Sequence, residues 1–442
     1  MNIDFNTVKV VIAVVIFLIA YAFVITEKIN RAVIAILGAL LMVVLGIVDF
    51  KLAYTKHVHW EVIFLLLGMM VMVGVARKTG IFEYLAIRTA KSAGGDPAGI
   101  LVRLAILTAI GSAFIDNVTT VLLVAPITIA IAKVLRLNPV PFLITQIIIC
   151  NIGGAATLVG DPPNIMIGSA AGISFNEFLV HITPFIFFAV AVVILILRKV
   201  YGKHLHVDKL YVNALMEIDP GTYITDWKMA KRAGIAFGIT FIGFVTHQLF
   251  HLPPAVIAMA GATLIMLLCI RREEDVVDVL SKLEWITIFF FVGLFIMVGG
   301  LVEVGIISKL ASGMIDLTGG NHDITSIALI WLAGVASAFI DNIPLVATLI
   351  PMVQDMSVQM GLNAAETATM WWSLALGACL GGNGTIIASS ANLVIASIAH
   401  REGYKISFIA YFKTGFTITI VTLMLATAYV YIAFIKLGLS VM

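Results

Sequence analysis

Residues 111–131 read GSAFIDNVTTVLLVAPITIAI, and this stretch places the pair Asp116 and Asn117 inside apolar sequence. Residues 336–352 repeat the pattern, the Asp-Asn pair included, as ASAFIDNIPLVATLIPM. An ionised aspartate at the centre of a membrane helix costs at least ~2.5 to 3.5 kcal/mol, so it normally faces a cavity or a partner. The same charged group placed twice in apolar sequence indicates a duplicated functional element.

The composition is that of an integral membrane protein. Of 442 residues, 61% are hydrophobic and only 12% are charged, and the mean hydropathy is +1.10. Soluble domains carry roughly twice that charged fraction. Several apolar runs approach the ~20 residues that a helix needs to cross ~30 Å of hydrocarbon. We therefore predict an all-α polytopic membrane protein, with residues 1–442 forming one integral membrane domain and the first apolar run retained as a span.

The predicted spans form two series with the same order. Each series has three spans, an interrupted apolar stretch, a broken apolar stretch and a final span. The first series is 8–26, 30–48, 60–77, 98–135, 140–170 and 180–198, and the second is 233–250, 255–270, 285–304, 323–354, 367–399 and 410–436. The predicted units are repeat one, 8–198, a polar linker, 199–232, and repeat two, 233–436.

An offset of 225 residues relates the two series. It carries Trp60, which opens a span, to Trp285, and it carries Asp116 to Asp341. It also carries the first two predicted spans of the first series onto those of the second. Internal symmetry of this kind is a mark of secondary transporters.

Lysine and arginine in short loops predict the orientation, because cytoplasmic loops carry an excess of them. With the N-terminus outside, the cytoplasmic loops and the linker hold most basic residues, and the outside keeps only Lys9, Lys51, Lys56, Lys309 and Lys436. Repeat one then starts outside and repeat two starts inside. We therefore predict two inverted-topology repeats and a cytoplasmic central linker.

The interrupted stretches are interpreted as re-entrant hairpins. Once the polar break is subtracted from 98–135, each limb is short of the ~20 residues that a full span needs. The tips, at Asp116 and Asp341, would then lie near the middle of the membrane, with one hairpin opening from each side. Loop charge is equally compatible with pairs of full spans, because both arrangements return the chain to the same side.

Each tip is a candidate binding site for an ion or a small polar ligand. Asp116 and Asp341 supply carboxylates, and Asn117 and Asn342 supply amides. Thr119 adds a hydroxyl in the first half. The alternative is that Asp and Asn cap the N-terminus of the following helix. A cap needs no charge at membrane depth, so we favour binding, and the two roles can coexist.

A second pair of motifs follows the tips. Residues 151–168 read NIGGAATLVGDPPNIMIG, and residues 380–397 read LGGNGTIIASSANLVIAS. An offset of 228 residues aligns equivalent polar side chains, Thr157 with Thr385 and Asn164 with Asn392. Glycine permits unusual dihedral angles and proline removes an amide donor. We therefore predict that a transmembrane helix in each half unwinds here and frees its carbonyls.

The two halves differ in their carboxylates, because Asp161 in the first motif aligns with Ser389 in the second. Asp116, Asp161 and Asp341 are candidates for proton uptake or for sodium binding, since hard oxygen ligands favour hard cations. We expect sodium or a proton as the coupling ion and no cofactor. The sequence shows no Walker A loop and no zinc-protease HExxH motif, which argues against ATP-driven transport and metalloprotease activity.

Through SAFIDNVTT, NIGGAATLVGDPPN, SAFIDNIPLVAT and LGACLGGNGTIIASSAN, the chain resembles the ion transporter superfamily. This superfamily includes dicarboxylate/sodium symporters, citrate transporters, arsenite permeases, NhaD-type sodium/proton antiporters and the melanosomal P protein. The likeness covers essentially the whole chain and is especially close to the P protein branch. It implies a homodimer whose subunits combine a scaffold domain with a mobile, elevator-like transport domain.

The resemblance also implies which residues hold substrate and cation. The site would comprise the two tips and the two unwound segments, namely Asp116, Asn117, Asp341, Asn342, Thr157, Gly160, Asp161, Asn164, Asn383, Thr385, Ser389 and Asn392. Dicarboxylate symporters carry Ser-Asn-Thr at their tips, whereas this chain has Asp-Asn-Val at 116–118 and Asp-Asn-Ile at 341–343. The departure argues against dicarboxylate transport with two intact sodium sites, and the extra carboxylates favour a proton-linked mechanism or cation exchange.

These observations predict an ion-coupled secondary active transporter of a small anion or oxyanion that works by alternating access. Sodium/proton antiport is the alternative, and a channel-like conductance is less favoured. An intramembrane aspartyl protease is least favoured, because its dyad needs two carboxylates at short range and gives no reason to duplicate both motifs. The chain is therefore predicted not to be an enzyme.

The expected partners follow from the predicted transport function. They are a small inorganic or organic ion, the lipid bilayer and a second copy of the chain. No nucleic acid is expected, because the basic residues behind the net charge of +2 lie in loops beside predicted spans. The expected location is a prokaryotic plasma membrane.

Overall fold

The computed structural model describes residues 5–26 and 28–441, and every regular element in these ranges is helical. Eight of the described helices are long and apolar enough to cross a membrane. Helices satisfy their own backbone hydrogen bonds, which any segment that crosses hydrocarbon must do. The prediction of an all-α polytopic membrane protein is confirmed.

The helices of the first half alternate between long apolar segments and shorter connecting ones. In chain order they are α1 (Phe5–Thr26), α2 (Arg31–Val44), α3 (Phe50–Leu52, extended by a π-helical turn, Ala53–His57), α4 (Trp60–Arg77), α5 (Ile81–Ser92), α6 (Pro97–Phe114), α7 (Asn117–Val134), α8 (Val140–Gly154), α9 (Pro162–Ala171), α10 (Phe175–His181) and α11 (Thr183–Tyr201).

A polar segment and the second half follow. The elements are a 3-10 turn (Gly202–His204), α12 (Lys209–Glu217), a 3-10 turn (Pro220–Tyr223), α13 (Trp227–Thr246), a 3-10 turn (His247–Phe250), α14 (Pro254–Cys269), α15 (Glu273–Ser281), α16 (Trp285–Glu303), α17 (Ile306–Leu317), α18 (His322–Ser337), α19 (Asn342–Gln359), α20 (Ala364–Gly381), a 3-10 turn (Ile386–Ala388), α21 (Ser390–Arg401), α22 (Phe408–Tyr429) and a π-helical turn (Val430–Lys436).

The connecting segment is shorter than the predicted linker, 199–232, because α11 continues to Tyr201 and α13 begins at Trp227. It is also packed rather than free. Lys91 Nζ in α5 donates a hydrogen bond to a carbonyl of the segment, that of Ile218, at 2.5 Å. Contacts also join α12 to α7. The segment therefore lies against the ends of two helices of the first half.

Helix bounds in the two halves repeat with the offset read from the sequence. The pairs α5 and α17, α6 and α18, and α7 and α19 each begin 225 residues apart. Gly80 and Gly305, which precede α5 and α17, have the same left-handed conformation, with φ 74° and ψ 12°. Glycine reaches positive φ without a Cβ clash, so the turn before each helix is built in the same way. The opposite orientation of the halves and the re-entrant course of the interrupted stretches stay predictions.

The halves are packed together by crossed helix pairs. Helix α4 of the first half packs against α14 of the second, and α16 of the second packs against α2 of the first. A Cβ added to Gly68 would lie 2.6 Å from the carbonyl carbon of Ala258, and one added to Gly293 would lie 2.7 Å from the carbonyl oxygen of Ala35. Glycine at both crossings therefore lets the helix backbones touch.

The interrupted and broken helices interlock across the halves in the same crossed way. Helix α7 packs on α21, and α9 packs on α19. Helices α8 and α20 contact each other and are flanked by α11 and α22, respectively. The four breaks therefore lie between helices that contact one another across the halves.

We expect Gly293→Ala to destabilise the protein by about 1–3 kcal/mol, because its methyl group would overlap the α2 backbone. The measurement is the thermal unfolding midpoint of the purified protein in detergent. Gly238→Ala in α13 is the matched control, since a Cβ there meets nothing within 4 Å. It should leave the midpoint unchanged or raise it, and equal midpoints for both variants would contradict the close crossing.

Candidate functional site

The first tip is the break between α6 and α7. Asp116 caps α7, and its Oδ1 accepts a hydrogen bond from the Thr119 amide at 2.9 Å. Asn117 follows as a buried side chain, and its Oδ1 lies 2.6 Å from Ser112 Oγ. A Cβ added to Gly154, at the end of α8, would overlap that amide oxygen. The tip therefore lies directly against the point where α8 ends.

The second tip is the break between α18 and α19. Asp341 caps α19, and its Oδ1 accepts from the Ile343 amide at 3.0 Å. Asn342 Nδ2 donates to Asp161 Oδ2 at 3.2 Å. This bond joins the second tip to the unwound segment of the first half. The capping alternative thus describes both aspartates, and the second tip also contacts a predicted site residue.

In each half, the asparagine that the two motifs share donates hydrogen bonds to carbonyls of the unwound segment. In the first half α8 ends at Gly154, and Asn164 Nδ2 donates to the carbonyls of Ala155 and Thr157 at 3.2 Å and 3.0 Å. In the second half Asn392 Nδ2 donates to the carbonyls of Gly382 and Thr385 at 2.8 Å and 3.0 Å. These two predicted ligands therefore satisfy carbonyls that the helix breaks set free.

Asn151 links the two unwound segments and lies outside the predicted set of site residues. Its Nδ2 lies 3.0 Å from Asn383 Oδ1, 2.9 Å from Asn392 Oδ1 and 3.2 Å from the Gly382 carbonyl. Ser389 Oγ donates to its Oδ1 at 3.3 Å. The signal was present in the sequence, because Asn151 is an amide that opens the NIGG motif inside an apolar helix.

Gly160 is enclosed by backbone. A Cβ at this position would lie 2.5 Å from the Gly154 carbonyl oxygen and 2.6 Å from that of Ser112. Its absent side chain lets the unwound segment approach the first tip. The structure thus gives this predicted site residue a packing role next to the site.

Three buried donors near the breaks have no partner among the described residues. They are Asn117 Nδ2, Asn383 Nδ2 and Thr385 Oγ1. The counterpart of Thr385 is Thr157, whose hydroxyl donates to the Ala113 carbonyl. An unpaired buried donor costs about 1–3 kcal/mol, so each of these donors, at the first tip or in the second unwound segment, is a candidate contact for a polar ligand.

Thr119 lies apart from this cluster, on a cavity of about 410 Å³ between α4, α7 and α15. Its charged lining comprises the basic residues Arg77, Lys78 and Lys282 and the acidic residues Asp278 and Glu284. Asp278 is paired with both lysines, and hydrogen bonds from Lys282 and Lys78 lower its pKa. The cavity therefore presents a charged entrance that ends at the first turn of α7.

An arginine also reaches the site from outside the predicted set. Arg31, the first residue of α2, lies 3.8 Å from Asp341 Oδ2 and contacts Ser390 and Thr287. In the sequence it is one of the basic residues of the predicted cytoplasmic loops. No pattern in the sequence indicates that a residue more than three hundred positions away faces it.

Within the described ranges, no group of three or more His, Cys, Asp or Glu side chains is placed to hold a metal ion. The sodium ion predicted near Asp116, Asp161 and Asp341 would therefore depend largely on hydroxyl, amide and carbonyl oxygens. Such oxygens are present at both unwound segments. The site is an internal junction of amides, carboxylates and helix ends.

Comparison with known proteins shows the family to which the chain belongs. The family model for "Citrate transporter" matches residues 21–377. The chain belongs to the citrate transporter family. This member is 41% identical to Uncharacterized transporter Rv2684 of Mycobacterium tuberculosis over 431 residues, which cover 97% of this chain and 99% of that protein.

Two further likenesses concern the superfamily and the fold. The chain is 30% identical to the P protein of Homo sapiens over 516 residues, which cover 97% of this chain and 60% of the P protein. Its structure is similar to that of the Alcanivorax borkumensis YdaH transporter, with a TM-score of 0.57, 14% identity and coverage of 91% and 89%. At that identity the second likeness shows the fold alone. The predicted superfamily is confirmed, and this citrate transporter family member is a membrane transporter and not an enzyme.

We expect Asn392→Ala to lower the stability of this family member by about 1–3 kcal/mol, because it strands two buried carbonyls and removes an acceptor of Asn151. Asn164→Ala should have a similar effect in the first half. The measurement is thermal unfolding in detergent, with Asn213→Ala on the exposed face of α12 as the control. Asn392→Asp keeps the shape and loses the donor, so a wild-type midpoint for it would contradict the proposed role of the amide.

Proposed function

We propose that the protein is a secondary active transporter that moves a small anion or oxyanion, coupled to protons or sodium. Alternating access would be elevator-like, with the tips and the unwound segments carrying the substrate past a scaffold. The observation that carries the proposal is the presence of four helix N-termini at the breaks that form the site. Their N-caps are Asp116, Asp161, Asp341 and Ser389.

Helix N-termini favour negative charge, because each carries a partial positive charge of roughly half a unit. Helices α7, α19 and α21 begin with residues that have amide hydrogens. Helix α9 begins with Pro162 and Pro163, which have none, so it contributes its dipole alone. Asn117 at the first tip and Asn383 and Thr385 in the second unwound segment have buried donors without a hydrogen-bond partner among the described residues. An anion held there would receive charge-assisted hydrogen bonds, which are about twice as strong as neutral ones. Donors and dipoles together therefore support an anionic substrate.

The carboxylates supply the reason for coupling. Three of the four N-caps are aspartates, so in their ionised state they repel the anion that the helix dipoles attract. A proton or a sodium ion bound at Asp116, Asp161 or Asp341 would remove that repulsion. Anion and cation would then bind together, which is the requirement for symport.

Sodium/proton antiport is the second candidate, and a specific observation favours it. In the described part of the chain, Asp116 and Asp161 form no ion pair with lysine or arginine. A buried carboxylate that lacks a fixed counter-ion is suited to exchanging a proton for sodium. Antiport would need no anion and would leave the donor set without a role in binding.

We propose further that the halves have opposite orientation, with the N-terminus outside and the connecting segment in the cytoplasm. The interrupted stretches α6–α7 and α18–α19 would be re-entrant hairpins. The protein would act as a homodimer in a prokaryotic plasma membrane. The repeated helix bounds and the crossed packing support this arrangement.

The test is flux in proteoliposomes that contain the purified protein, with imposed sodium or pH gradients, a pH-sensitive dye and a panel of small carboxylates and inorganic oxyanions. We expect anion uptake that requires one of the two gradients. Asp161→Asn and Asp116→Asn should reduce gradient-driven uptake about tenfold or more, the factor that corresponds to about 1.4 kcal/mol.

Asp208→Asn in the connecting segment is the matched control, because that aspartate is exposed and far from the site in sequence. Its uptake should equal that of the unaltered protein. Sodium-triggered proton movement in the absence of any anion, lost in Asp161→Asn, would overturn anion transport and establish antiport. Anion flux that ignores both gradients would overturn coupling.

A further inference from the structure

Arg31 is fixed at the second tip by several groups. Its Nη1 donates to Ser390 Oγ at 2.5 Å, and Ser390 Oγ donates to Asp341 Oδ2 at 2.9 Å. Its Nη2 donates to Thr287 Oγ1 at 3.3 Å, and its guanidinium carbon lies 5.3 Å from the centre of the Phe290 ring. The positive charge is therefore held in one place by hydrogen bonds on two sides and by an aromatic face.

The pair that Arg31 forms with Asp341 is mostly shielded. The nitrogen-to-oxygen distance is 3.8 Å, and the two side chains are 25% and 17% exposed. Arginine keeps its charge in proteins, and charges at such depth in a membrane protein are normally paired. Asp341 thus has a permanent cation beside it in this conformation.

The first tip has no equivalent of this arrangement. The positions that the 225-residue offset relates to Arg31, Thr287 and Phe290 are apolar, and so is the position that the 228-residue offset relates to Ser390. They are Val256, Val62, Leu65 and Pro162. Nothing at these positions could place or hold a guanidinium beside Asp116.

Glu284 is the second carboxylate near Arg31. Its Oε2 accepts from Thr287 Oγ1 at 3.1 Å, so its link to Arg31 runs through that hydroxyl. Asp341 is the carboxylate within direct ion-pair distance. The guanidinium therefore forms its direct ion pair with Asp341 at the second tip and not with Glu284.

We infer that Arg31 is a built-in counter-ion that takes the place of a coupling cation at Asp341, so that cation binding is confined to the side of Asp116 and Asp161. The inference rests on the proposed coupling role of the tip carboxylates and narrows it to one tip. The two halves then share a backbone plan and differ in ion stoichiometry. Removal of the guanidinium should create a new cation site.

The experiment counts cations bound by the purified full-length protein, without transport. Equilibrium binding of radioactive sodium at about pH 8, where carboxylates are normally ionised, and potentiometric proton uptake on acidification give the total per chain. Arg31→Gln should bind about one more cation per chain than the unaltered protein. The double variant Arg31→Gln, Asp341→Asn should return to the original number.

Two controls test whether the number of bound cations depends on a positive charge at the second tip or on the total charge of the protein. Arg31→Lys keeps a positive charge at the tip, and Arg401→Gln removes one from the exposed end of α21. Neither should change the number of bound cations. An unchanged number in folded Arg31→Gln, or a gain that persists in the double variant, would overturn the inference.

A second comparison covers the case in which Arg31→Gln does not fold. Asp341→Asn alone should keep the cation number of the unaltered protein, whereas Asp116→Asn should lose one. Loss of a cation in both would overturn the inference. Failure of the proposed function is distinct, because it would appear as absent coupled flux in the unaltered protein.

Discussion

Interrupting a helix inside an apolar protein releases carbonyls that lipid cannot satisfy, and the arrangement of the site depends on how these carbonyls are paired. Asn164 and Asn392 pair these carbonyls in the two halves. The side-chain amide of each donates hydrogen bonds to carbonyls of the unwound segment that precedes its own helix. Since the side chain does the work of the missing backbone donors, the chain can turn and start a new helix within the interior. The positive ends of the dipoles of these new helices are what make the interior suited to a negatively charged ligand.

The backbone plan is repeated, and the side chains that contact across it are not. Asn151 reaches Asn392 from the first half, and Cys379, at the aligned position of the second half, reaches Asn164 through its thiol at 3.4 Å. Asp161 is aligned with Ser389. A symmetric backbone permits two equivalent arrangements that exchange the roles of the halves, whereas an asymmetric set of charges fixes where ions bind. In the proposed mechanism, the repeated backbone would provide the movement, and the unequal side chains would determine which ions are coupled to it.

The sequence predicted the helix breaks well, because charge and proline in apolar sequence are local signals. The interrupted stretch 98–135 corresponds to α6 and α7, and its polar break lies at Asp116. It did not predict α5 or α17, which are short, and it placed the start of α13 after Trp227 because basic residues open that helix. Arg31 and Asn151 were missed for a different reason. Their roles depend on residues that lie hundreds of positions away, and a single sequence does not show which distant side chains meet.

Capping and binding at the tips are compatible, because a carboxylate has two oxygens. At Asp341 one oxygen accepts from the α19 backbone, and the other accepts from Ser390 and faces Arg31. A serine cap would satisfy the same backbone amide and would leave no charge to balance. Aspartate at this position therefore adds a requirement for a cation, which Arg31 meets at the second tip. Asp116 is also an N-cap, and among the described residues it forms no ion pair with an arginine. The tip carboxylate without a fixed cation therefore lies at the first tip, near the charged cavity that reaches Thr119.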